Sequence, residues 1–197
     1  MKKLLLFLTI YASLLSCNDN NKKPVGDDTT QKQEAAPGFF PVTSYLKGQV
    51  AEIKSIGINP LKFVTIKNIK DSVWLKPEEF DSAFAEFLRP EIDSITMADF
   101  FSESKFFDQT LNTYTFTYEP KKTLPATMQI KRWDVYVDPE TNTVKRVYIE
   151  KYAAAQKEMQ LTWQARKNCR IVFIATDASG NQTIEREEFI KWNFDEE

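Results

Sequence analysis

Thr113-Tyr114-Thr115-Phe116-Thr117-Tyr118 alternates hydroxyl and aromatic side chains without a break, and this stretch decides the fold. A period of two puts the aromatics on one face of an extended strand and the threonines on the other, and both residue types suit a pleated, half-buried surface. The pattern runs from Leu111, and outward from it similar alternation predicts strands over 128–138, 143–152, 158–166, 169–176 and 183–194. Their connections are short and polar: Asp138-Pro139-Glu140-Thr141-Asn142, Arg166-Lys167-Asn168 and Asp177-Ala178-Ser179-Gly180-Asn181. Links of this length join antiparallel neighbours, because a parallel crossover needs a dozen or more residues. Inward positions on this reading are Trp133, Val135, Val137, Val147, Ile149, Met159, Leu161, Trp163, Ile171, Phe173, Ile190 and Trp192.

Toward the N-terminus the period changes. Val42, Tyr45, Leu46, Val50, Ile53 and Ile56 recur at helical spacing, opened near Pro41 to Ser44 and stopped by Gly57. Leu61 to Lys67 reads as a strand, and Asp71-Ser72 as a turn into a short strand at Val73 to Leu75. Pro77-Glu78-Glu79 opens a second helix with Phe80, Phe84, Phe87 and Leu88 on one face, ended at Arg89-Pro90. A third, shorter helix is expected around Thr96 to Ser104, with Met97, Phe100 and Phe101 inward. The fold expected is α+β: a curved antiparallel meander of about six strands with two to three N-terminal helices packed on one face.

The N-terminus carries a different signal. Lys2 and Lys3 precede an apolar run from Leu4 to Leu15, which as a helix covers only about 18 Å of a hydrocarbon layer roughly 30 Å thick. It is too short to span and reads as an export signal over residues 1–16. Leu14-Leu15-Ser16-Cys17 resembles the bacterial lipobox. The resemblance implies that Cys17 takes a diacylglycerol on sulfur, that signal peptidase II cuts before it, and that the new amino group is acylated. Several acyl chains give stable attachment where one holds only marginally. Asn18 to Pro37 is polar and nearly free of apolar residues, so it reads as a disordered tether with a mean reach of about 25 Å. A single domain is expected over 38–197.

Composition narrows the chemistry. The 197 residues include no histidine, two cysteines, 26 basic and 28 acidic residues. Without imidazole there is no Ser-His-Asp or Cys-His pairing and no histidine-built metal site. The net charge of −2 becomes about −4 once Lys2 and Lys3 are removed, which disfavours nucleic acid and anionic lipid as partners. The acyl chains on Cys17 must then supply the attachment to the membrane. No cofactor is expected.

Tyr136, Tyr148 and Tyr152 fall on the face opposite the presumed core residues of two paired strands, where an aromatic row could stack on a sugar or line a groove for a peptide or acyl chain. They are the candidate ligand-binding residues; packing or covering an edge is the alternative. The run from Asp177 to Glu188 is similar to the EF-hand calcium loop at Asp177, Ser179, Asn181, Ile184 and Glu188, followed by Phe189. It departs from that loop at the sixth position, where Gln182 stands for glycine, and in the β-rich segment that enters it, so the preferred reading is a hairpin tip. Cys169 reads as a buried spectator. Carboxylates are the remaining acid/base candidates, but Glu78, Glu79, Asp93, Asp99, Glu103 and Asp134 are scattered and form no evident catalytic pair.

The layout of lipobox, polar tether, helix after Gly38-Phe39-Phe40-Pro41-Val42 and closing Phe189-Ile190-Lys191-Trp192-Asn193-Phe194 resembles small envelope lipoproteins of Bacteroidetes-type bacteria. That resemblance implies an anchored domain on the periplasmic side or outer membrane. The functional expectation is a non-catalytic binding domain for a protein, lipid or saccharide, with a carboxylate-based hydrolase and the Asp177 to Glu188 calcium loop as alternatives.

Overall fold

From Thr113 onward the strands follow the alternation, and the sheet they build is larger than the pattern suggests. The computed structural model describes residues 39–154 and 156–195; the expected signal segment, Cys17, the tether and the domain boundary at 37–38 lie outside them. Among the described residues nine strands form one sheet: β1 Leu61–Ile66, β2 Ile69–Trp74, β3 Phe101–Asp108, β4 Thr113–Pro120, β5 Ile130–Val137, β6 Val144–Ala154, β7 Lys157–Gln164, β8 Asn168–Thr176 and β9 Gln182–Lys191. Their order is β2-β1-β9-β8-β7-β6-β5-β4-β3, and the pairings are antiparallel. Strands β3 to β9 are a plain meander, and the β1-β2 hairpin is laid against β9.

Nine strands replace the six expected, and the difference comes from the first half of the chain. Met97, Phe100 and Phe101 have helical spacing, yet the helix there, α4 (Ser94–Met97), ends after one turn. Phe101–Asp108 is extended because it pairs along its whole length with β4, a gain no local pattern reveals. The turn expected at Asp71-Ser72 lies instead at Lys67 and Asn68, both with positive φ as a tight hairpin requires, so β2 begins at Ile69. The second helix is a 3₁₀ turn over Pro77–Glu79 followed by α2 (Phe80–Ala83) and α3 (Ala85–Leu88), interrupted at Phe84. The result is a sheet-rich fold with few helices.

The one long helix, α1 (Val42–Ser55), buries Val42, Leu46, Val50 and Ile53 along one stripe. It stops at Gly57, whose φ of +69° favours glycine. Its stripe packs in one cluster with Phe80, Phe84 and Phe87 and with the core-facing sheet residues Trp133, Val135, Val147, Ile149, Leu161, Trp163, Ile171 and Ile190. Register explains the face: Val147 opposes Val135 and Trp163, and Ile149 opposes Trp133 and Leu161. Ring contacts join the layers, with Phe84 and Phe87 at 5.4 and 5.2 Å from Trp163. Such buried side chains each contribute about 1.5–3 kcal/mol, which is why this cluster dominates the stability. Val137 and Phe173, expected inward, are only partly buried at its rim. Among the described residues no helix is long and apolar enough to cross a membrane.

Candidate functional site

Tyr136 and Tyr148 lie on the face of β5 and β6 that points away from the core, because each alternates with buried Val135 or with Val147 and Ile149. Asp134 is the direct cross-strand partner of Tyr148, and Arg146 that of Tyr136. Asp134 is nevertheless only 3% exposed. Its Oδ2 accepts from Arg132 at 2.9 Å and from the Tyr136 hydroxyl at 3.4 Å, while its Oδ1 has no hydrogen-bond partner among the described residues. The Tyr148 hydroxyl donates to Glu150 at 3.0 Å. Burial first, and then the charges of Asp134 and Glu150, push both phenols above their ordinary pKa, so they remain neutral donors.

The three tyrosines do not form one row. Tyr152 is half-exposed at the far end of β6, where it borders a separate cavity of about 790 Å³ with Leu124 and Met128. Tyr136 lines a cavity of about 840 Å³ at the opposite end of the strands. Tyr148 stands between them, bonded to Glu150 and flanked across the sheet by Asp134 and Thr162.

The cavity at Tyr136 is assembled from distant segments. Phe40 and Tyr45 come from the entry to α1, Asn142 and Thr143 from the β5-β6 turn, Val144 to Arg146 from the start of β6, Gln164 from the end of β7 and Ala165 to Lys167 from the β7-β8 turn. Phe40 is fixed by its N–H, which donates to the buried Tyr118 hydroxyl at 3.2 Å, and by its edge-on contact with Tyr45 at 5.5 Å. Arg146 stacks over Tyr136 with its guanidinium carbon 3.8 Å from the ring centroid. Sequence reasoning missed Arg146, although it stands two residues before Tyr148 on the same strand face, and it missed the turn residues, which no local pattern connects.

The other candidates have local roles. Asp177 closes the β8-β9 hairpin: its Oδ1 accepts from the N–H groups of Ser179 and Asn181 at 2.8 and 2.9 Å, and its Oδ2 from the Asn181 amide at 3.0 Å. Glu188, which a calcium loop would need at its close, is buried on β9 against Lys62 and Arg186. The Asp177 side chain thus serves the hairpin tip, while Glu188 stands farther along β9 opposite Ile171. Glu79 accepts from the Lys76 N–H at 2.7 Å, and Asp93 caps Ile95 and Thr96, each at 2.8 Å. Two outer-face carboxylates are paired with cations, Asp134 with Arg132 and Glu158 with Lys131 at 2.9 Å each. Cys169 is fully buried on β8, and burial pushes its thiol well above the ordinary value.

The chain matches no family model, and neither the curated proteins nor the solved structures provide a match.

Proposed function

We propose that this is a lipid-anchored protein of a bacterial cell envelope, held by acyl chains on Cys17, whose domain binds a ligand without catalysing its conversion. The fold suits that role when read as a curved α+β meander with its helices laid on one face, since the bulges in β5, β6 and β8 or their partners add bend and twist. The observation that carries the binding reading is the cavity of about 840 Å³ at Tyr136, within the usual size range of small-ligand sites. Ring surface from Phe40, Tyr45 and Tyr136 and polar groups from two turns converge on it.

Two measurements test this. Labelled palmitate should enter the wild-type chain and send it to the membrane fraction, and Cys17→Ser should abolish both; a variant that remains acylated removes the anchor. A thermal-shift panel of saccharides, acyl compounds and peptides should produce at least one ligand that stabilises the full chain but not Tyr136→Ala. A panel without any such ligand removes the binding role.

A further inference from the structure

Resting on that binding reading, the geometry points to a ligand class: we propose that the cavity at Tyr136 is a site for an acidic saccharide. Among the described residues the lining carries Lys145, Arg146, Arg166 and Lys167 and no carboxylate. In a chain whose acids outnumber its bases, 28 to 26, such a wall is a local reversal of the overall charge. It sets up a positive potential in a concave space, where low-dielectric walls strengthen it.

Arg146 is the centre of the site. It stacks on Tyr136, and among the described residues it has no carboxylate within ion-pair distance. Stacking uses the face of the guanidinium and leaves its edge, a planar fork of N–H donors that matches the two oxygens of a carboxylate, sulfate or phosphate. Lys145 and Arg166 have partners, Asp138 at 3.0 Å and Glu52 at 3.8 Å, and Lys167 is not free either. The Arg166 pair is long and exposed to solvent, and exposed ion pairs are worth little, so an incoming anion competes with it easily, while Lys145 stays closer to Asp138 and adds its charge to the wall.

A simple inorganic anion would need only the cations. The same cavity also presents the rings of Phe40, Tyr45 and Tyr136, which suit the C–H faces of a sugar, with turn hydroxyl and amide groups for its hydroxyls. Acid groups and sugar faces together are the signature of an acidic glycan.

The full chain in detergent is titrated with a short oligogalacturonate, with its methyl ester, which has the same sugar without the charge, and with vesicles containing phosphatidylglycerol. Oligogalacturonate should bind, the ester at least about tenfold more weakly, and binding should fall as salt rises from about 0.05 to about 0.3 M. Arg146→Gln should cost about tenfold or more, and Arg166→Gln in the β7-β8 turn and Lys145→Gln on β6 carry the test if Arg146→Gln does not fold. Equal binding of acid and ester overturns the acidic class but leaves a binding domain in place. Binding of the vesicles without the oligosaccharide, or of neither, overturns the proposal.

Discussion

Lys62 Nζ and Glu188 Oε2 lie 2.7 Å apart on the core-facing side of the sheet, with side chains only 17% and 6% exposed. Lys62 opposes Ile190 across the β1-β9 pairing, and Arg186 reaches the same carboxylate from within β9. One buried anion is thus shared by two cations. Glu188→Ala should destabilise the chain by about 3–5 kcal/mol in urea unfolding, since it leaves the cations uncompensated. The double replacement Lys62→Leu with Glu188→Leu should recover much of that loss. If the double variant is as unstable as Glu188→Ala, uncompensated charge is not the cause.

Lys151 ties the helices to the sheet in a different way. Its ammonium, 3% exposed at the side chain, donates to the Glu86 carbonyl and carboxylate at 2.8 and 2.7 Å and to the Arg89 carbonyl at 2.6 Å. Lys151→Met should cost about 1–3 kcal/mol, because the Glu86 and Arg89 carbonyls around α3 lose their donor. Glu86→Gln should cost less, since both carbonyl acceptors and an amide oxygen remain. Equal losses in the two variants would show that the carboxylate, not the carbonyl anchoring, carries the link.

These two lysines mark the limit of what the sequence makes legible. Strands β4 to β9 are readable because Trp133, Val135, Val147, Ile149, Leu161 and Trp163 alternate with polar residues, and short turns force antiparallel neighbours. The same alternation puts Lys62 and Lys151 inward, but lysine is a surface residue unless a partner elsewhere in the chain accepts it. Strand β3 was hidden because Met97, Phe100 and Phe101 satisfy a helical spacing locally, while the hydrogen bonds that make Phe101–Asp108 extended come from β4. The outward direction of Tyr136 and Tyr148 was readable. The cavity was not, since Phe40, Arg146 and Arg166 meet only through the fold.

Acid sensitivity should concentrate in the turns. Asp138 is held at about 2, below the ordinary 3.8, by Lys145 first and then by the N–H groups of Thr141 and Glu140. A carboxyl with a depressed folded value contributes stability that is fully present above its unfolded value and is lost as pH falls through the folded one. The window therefore runs from about 4 down to about 2. Asp93 and Asp177 are lowered in the same direction by hydrogen bonds from Thr96 and Asn181. Melting temperature against pH should fall less steeply in that window for Asp138→Asn than for the wild type, with the largest gap near neutral pH. Parallel curves throughout would mean that the Asp138 charge does not stabilise the β5-β6 turn.

Thiol counting tests the two cysteines together. Cys169 is fully buried, and desolvation raises its pKa well above the ordinary range with only partial relief from the charge of Lys62, so neither access nor thiolate is present in the folded chain. Cys17, once acylated, holds its sulfur in a thioether that does not react with alkylating reagents. The protein isolated from membranes should therefore take up no iodoacetamide when native and one equivalent in denaturant, as read by mass. One label in the native state would place an exposed thiol at Cys17 or Cys169, and peptide mapping says which. Two labels in denaturant would mean that Cys17 is unmodified, and the chain would then have to reach the membrane by some route other than its sulfur.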